Sequence, residues 1–165
     1  MEIKIKLIIA FIAVLYMIFT NSVLFGAGSS DDEDENYAEV VDANYKNGKE
    51  QAYNGKYEEA IVYLKKSIEN DSKNANAFNM LGYSNRKLGK NQEAFKYYNK
   101  ALKLDPRHRG THEYIGRLYL NLSQPEKAKM HLDKLDSICF FGCEEYQTLK
   151  KAIENYKKNK VVTNY

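Results

Sequence analysis

The sequence contains no tryptophan, only two prolines and two cysteines, and three histidines in 165 residues. With nine glycines besides, it has too few turn-formers for a many-stranded β fold. The abundance of Lys, Glu, Ala and Leu favours helices instead. No cysteine precedes Cys139, which excludes a lipid-modified N-terminal cysteine. The spacings of a phosphate loop, a dinucleotide fingerprint, a zinc-protease helix and a nucleophile elbow are all missing. Carboxylates are scattered over polar helix faces without a pair set for acid–base chemistry, and they read as solvated surface acids. An excess of charge is missing too. The formal net charge is +3, and from residue 36 onward there are 23 basic and 16 acidic residues. That balance falls short of a nucleic-acid footprint.

What is present begins with a leader. Lys4 and Lys6 give a positive start, residues 7–19 are an unbroken apolar run, and Gly26, Ala27 and Gly28 follow. Residues 1–28 therefore read as a signal peptide. The uncharged stretch from Leu7 to Ser30 is also long enough to span a bilayer, and Leu24 and Phe25 sit where a cleavage site prefers small residues. The alternative is a retained N-terminal membrane anchor. Either way the body is expected to be exported. Residues 29–36, SSDDEDEN, form an acidic linker expected to be disordered.

From residue 37 a period of 34 takes over. Gly48, Gly82 and Gly116 match, as do Ala60, Ala94 and Ala128; Gly55 and Gly89 match with Ser123 in the third copy. Gly89 is placed to end a helix in the left-handed conformation, and Pro106 to stop the next one. Ser123–Glu126, SQPE, reads as a capping box with Pro125 in the first turn. Residues 143–158 carry one apolar stripe, Tyr146, Leu149, Ile153 and Tyr156, which reads as a capping helix that closes the stack. Residues 159–165 read as a flexible tail.

A fixed period of 34 with a helix–turn–helix in each unit resembles the tetratricopeptide repeat. The resemblance covers residues 41–142 as repeats 41–74, 75–108 and 109–142, with residues 37–142 as the domain. Phe78, Leu81, Gly82, Gly89, Ala94, Tyr98, Ala101 and Pro106 carry it in repeat two. Repeat one departs at Asn44, Asn47 and Ser72, and repeat three at Ser123, Leu135 and Gly142. The family implies an all-α, right-handed superhelical solenoid whose first helices line a concave peptide-binding groove. The groove positions are Asp42, Tyr45, Lys49 and Tyr53; Asn79, Tyr83, Arg86 and Lys87; and Glu113, Arg117 and Asn121, with Arg107 in the connecting turn. The chaperone-tail carboxylate clamp of some members is not kept: its positions read Tyr45, Lys49, Met80, Gly110 and Tyr114, and only Lys49 survives. The run from Arg107 to Ile153 is similar in outline to small exported proteins of this family from Gram-negative bacteria, which implies a periplasmic location, free or anchored at the inner membrane.

These features point to a non-enzymatic interaction module without a cofactor. Its partner is another protein or a peptide, not nucleic acid, and it meets a membrane only through residues 1–28 if these stay uncleaved. Oligomeric state is not set by the sequence. The acidic linker reads either as a solubilising spacer or as a ligand that competes for a basic groove formed by Lys49, Arg86, Lys87, Arg107 and Arg117. Two alternatives stand beside this reading. His108 and His112, four apart, can in principle share a metal ion on one helix, although His112 falls at a packing position. Cys139 and Cys143 in an exported protein suggest a disulfide; free thiols, or thiol-redox or copper chemistry with His131, remain open. An anchored assembly factor differs from the main reading only in whether residues 1–28 are kept.

Overall fold

The computed structural model describes residues 42–159. The readings of residues 1–28 and 29–36, and of the tail from residue 160, lie outside the described residues. Seven α-helices and no strand occur among them: α1 Ala43–Tyr53, α2 Tyr57–Asn70, α3 Ala75–Lys87, α4 Asn91–Leu104, α5 Arg109–Asn121, α6 Pro125–Ile138 and α7 Glu144–Asn159. The fold is an all-α helical repeat. The helices α2, α4 and α6 begin at 57, 91 and 125 and end at 70, 104 and 138, so each recurs after the 34 residues seen in the glycine and alanine pattern. The pairs α1–α2, α3–α4 and α5–α6 pack within units, and α7 packs on both α5 and α6.

Local chemistry sets the helix ends. The Asp42 carboxylate accepts from the Asn44 N–H at 3.0 Å, and Asn74 Oδ1 accepts from the Ala77 N–H at 2.9 Å. His108 caps α5 through Nδ1, which accepts from the Thr111 N–H at 3.1 Å. Each cap satisfies an N–H that the first helical turn leaves unpaired. Gly55 and Gly89 leave α1 and α3 at φ 79° and 73°, a region that costs glycine least. Ser123 leaves α5 at φ 56° in the same place.

This last turn corrects the expected capping box. The N-cap of α6 is Gln124, and no side chain caps that helix. Ser123 is drawn one residue away into the left-handed turn, where its N–H donates to the Leu120 carbonyl at 2.9 Å. The turn geometry that the period requires at this position prevails over the local sequence motif. Pro125 does occupy the first turn of α6.

Small residues mark the closest helix approaches. A Cβ at Gly48 would lie 2.6 Å from Leu64 Cγ, and one at Gly82 would enter the ring of Tyr98. These contacts join the two helices of one unit. The sequence period offers Leu132 as the partner of Gly116, but Leu149 of α7 comes nearest, 2.5 Å from the position of a Cβ. Ala94 is fully buried, clustered with Tyr98, Ile115 and Leu118 at the seam with the next unit. At the C-terminal end, Leu149, Ala152 and Ile153 are buried with Leu120, Ala128 and Leu135, and Tyr146 and Tyr156 pack alongside.

Candidate functional site

The helices α1, α3 and α5 face a cavity of about 730 Å³. Its walls also include the turn before α5 and the first turn of α7. Tyr45, Lys49, Tyr53, Asn79, Tyr83, Arg107, Glu113 and Arg117 of the expected groove line it. Asp42, Arg86, Lys87 and Asn121 are not among the lining residues. Asp42 caps α1, and Asn121 is exposed at the end of α5. The ammonium of Lys87 lies 5.8 Å from the ring centroid of Tyr57.

Arg86 occupies a core position. One period away in either direction stand Ala52 and Leu120, both fully buried, and Arg86 itself is only 5% exposed. Its guanidinium lies over the rings of Tyr83 and Tyr114, at 5.4 and 5.8 Å from their centroids. Such cation–π contacts are worth roughly 0.5–2 kcal/mol each as the cation is desolvated. Burial pushes the nearby Tyr98 hydroxyl far above the ordinary tyrosine range, and Arg86 opposes the shift. The charge therefore sits beneath the tyrosine floor of the groove.

That floor is aromatic. Tyr83 meets Tyr114 at 5.0 Å between centroids and Tyr53 edge-on at 6.1 Å. Burial raises the hydroxyls of Tyr114, Tyr83 and Tyr45, and a hydrogen bond that the Tyr114 hydroxyl donates to the Tyr53 side chain adds to the rise at Tyr114. Asn79 is buried at the edge of the floor, and its Oδ1 accepts from the Thr111 hydroxyl at 3.0 Å.

The walls carry both signs of charge, where the sequence suggested a basic groove. Asp105, Glu113, Glu144 and Glu145 line it together with Lys49, Arg107, Arg109 and Arg117. Arg117 pairs with Glu113 at 3.2 Å in a buried setting, and Arg109 with Glu145 at 3.6 Å. Burial raises the Glu113 carboxyl above the usual range, and Arg117 opposes that rise. Glu144, Glu145 and Thr148 come from α7. The period placed the groove on the first helices of the repeats, so a wall contributed by the capping helix was invisible to it. Asn76, Asp105, His108 and Arg109 are further lining residues that sequence reasoning missed, and Met80, Gly110 and Tyr114, named above only as positions of the absent clamp, line it too. Several belong to the turn between repeats two and three, whose fold the period does not specify.

His108 and His112 do not share a helix face, because His108 is the cap of α5. His112 instead meets His131 of α6, with Nδ1 to Nδ1 at 3.0 Å, and its Nε2 lies 3.1 Å from the Pro106 carbonyl. The carbonyl only accepts, so His112 carries its proton on Nε2 and accepts from His131 through Nδ1. The period did hold this signal: 34 residues earlier the same two positions are Phe78 and Tyr97, whose rings stack at 6.5 Å. No group of three or more His, Cys, Asp or Glu side chains is placed to hold a metal ion among the described residues. Cys139 and Cys143 are joined by a disulfide that closes the turn between α6 and α7, with Gly142 at φ 80°.

The sequence profile of the tetratricopeptide repeat matches residues 45–109. Residues 45–109 are tetratricopeptide repeats. Solved structures of tetratricopeptide repeat proteins share the fold. The first TPR of Spaghetti (RPAP3), bound to the HSP90 peptide SRMEEVD, superposes with a TM-score of 0.60 at 22% identity, covering 70% of this chain and 94% of that one. The crystal structure of MamA gives 0.58 at 26% identity, covering 71% and 68%. No curated protein matches the chain significantly in sequence. A helical repeat scaffold of this family is suited to protein–protein interaction.

Proposed function

We propose that the protein is a non-enzymatic adaptor of the bacterial cell envelope that holds an extended segment of a partner protein in its groove. The observation that carries this reading is the cavity of about 730 Å³ walled by all three repeats and α7. Asn79 keeps its Nδ2 protons available while its Oδ1 is committed to Thr111, which suits it to a peptide carbonyl. Tyr53, Tyr83 and Tyr114 offer ring faces to side chains at low entropy cost. The paired charges of the walls favour a ligand that carries both signs over a polyanion. The TPR of RPAP3, a structural neighbour, is solved with a peptide bound. The envelope location rests on the sequence of residues 1–28.

The test is selection of peptides from a displayed random library, followed by titration calorimetry. Asn79→Ala and Tyr83→Ala should each weaken selected peptides by about 1 kcal/mol or more, the usual scale of a lost hydrogen bond or anchor ring. A Met130→Ala control, exposed on α6 and away from the cavity lining, should not. Peptides that bind all variants equally would place the binding surface elsewhere. Appearance of a fusion reporter in the cytoplasm alone would overturn the location.

A further inference from the structure

Two exposed features take no part in the groove. The first is the turn between α6 and α7. Its disulfide spans four residues, and between the cysteines Phe140 and Phe141 stand 91% and 96% exposed. Their rings meet edge-on at 5.0 Å. Two large apolar rings on a stapled turn are presented to solvent with little loop freedom left to lose on docking. Acidic residues flank them: Asp136 near the end of α6 and Glu144 at the start of α7, both exposed.

The second feature is a cavity of about 420 Å³ in repeat two, lined by Phe78 and Tyr97 with Lys96, Asn99, Lys100 and Lys103. The stacked rings form its base, and the Lys100 ammonium lies 5.7 Å from the Phe78 centroid. It shares no lining residue with the groove. An aromatic base with three lysines complements a pair of phenylalanines set between carboxylates. The site occurs once among the described residues. One period away the two ring positions are Asn44 and Tyr63 in repeat one and His112 and His131 in repeat three.

We propose that Phe140 and Phe141 of one copy of this chain dock into the Phe78–Tyr97 cavity of a second copy, with Asp136 and Glu144 meeting the lysines. Finger and receptor lie on different repeats, so two copies either exchange fingers reciprocally in a closed two-fold dimer or join through a single contact that leaves one finger and one cavity free. Single contacts continue head to tail into a ring or an open chain. Glu144 also lines one edge of the groove; the rest of the groove stays open, and the assembly would present it in two or more copies, which raises avidity for a multivalent partner.

The experiment uses the full chain in every arm. Phe140→Asp with Phe141→Asp removes the finger, and Lys100→Glu with Lys103→Glu blocks the cavity. Light scattering of the wild type should show mass rising with concentration to the dimer or beyond. Each variant alone should lose that rise, while an equal mixture of the two should recover dimers and nothing larger, since it holds only one competent pair. Photo-crosslinking from p-benzoylphenylalanine at position 141 between isotopically light and heavy copies should fall on residues 96–103. Association that persists unchanged in both variants would overturn the proposal. So would a monomeric wild type, crosslinks confined to other segments, or a finger that binds phospholipid vesicles without any gain in protein mass. Unchanged peptide affinity in the variants would separate failure here from failure of the groove reading.

Discussion

Gly82 shows how a single residue fixes the distance between two helices. Its missing side chain is the space that the Tyr98 ring occupies, and Tyr98 is fully buried. Gly82→Ala should therefore overpack the α3–α4 contact and cost roughly 1–3 kcal/mol in the urea midpoint. Ser123 tests the opposite sign. It holds φ 56° where repeats one and two use glycine, and a left-handed residue with a Cβ is strained by roughly 1–2 kcal/mol. Ser123→Gly should raise stability by a fraction of that, because glycine also loses more freedom on folding. An unchanged midpoint for both variants would break the link between the period and the backbone. The glycines and their spacing were legible in the sequence because a missing side chain is a periodic mark. Arg86 was not read correctly. A charged residue on an inner helix suggested the groove surface, whereas burial under two tyrosine rings depends on neighbours from two repeats.

At the scale of elements, α5 and α6 are joined by a contact that neither helix announces. Repeat one has no histidine; of the chain's three, His108 is the last residue of repeat two, and His112 and His131 fall in repeat three. Burial holds each below the ordinary value of 6.5, and His131 falls to about 4 with His112 beside it. The groups facing the pair include Tyr119 from α5, Lys134 from α6 and Asp105 from the preceding turn; Lys134 lowers His112 and Asp105 raises it. The unfolded chain takes up these protons near pH 6.5, and the folded chain takes them up only at lower pH. Stability from the neutral rings is thus complete above 6.5 and is lost as pH falls from there through the folded values. Protonation of His108 at Nδ1 also removes the acceptor that caps α5. Urea midpoints should fall between pH 7 and pH 5 by an amount on the order of 1–2 kcal/mol, after allowance for the partly exposed rings. His112→Phe with His131→Tyr, which restores the residues of repeat two, should flatten most of that slope. A double variant as acid-sensitive as the wild type would assign the effect to other groups. The pairing escaped a reading based on neighbours four apart along the chain, because its partners lie 19 residues apart.

For the solenoid of residues 42–159, the helix count and the closing role of the apolar stripe on α7 followed from periodicity. The groove did not, since the turn from Asp105 and the first turn of α7 complete its walls. This arrangement gives α7 two tasks, covering the apolar end of the stack and supplying Glu144, Glu145 and Thr148 to the groove. Among element pairs in contact, α7 touches only α5 and α6. In a linear stack, stability is close to a sum of units and nearest-neighbour interfaces. Deleting residues 144–165 should then expose Leu120, Leu135 and the surface above Gly116. Loss of the fully buried Leu149 alone forgoes about 1.5–3 kcal/mol of apolar burial. Native-state hydrogen exchange should show amides of α5 and α6 losing protection by orders of magnitude while those of α2–α4 change far less. Circular dichroism should retain most of the helix signal of the first two repeats, and the truncated chain should associate through the bared end. Equal loss of protection in every helix would mean that the three repeats unfold as one cooperative unit, in which case α7 stabilises the whole stack rather than the end it covers.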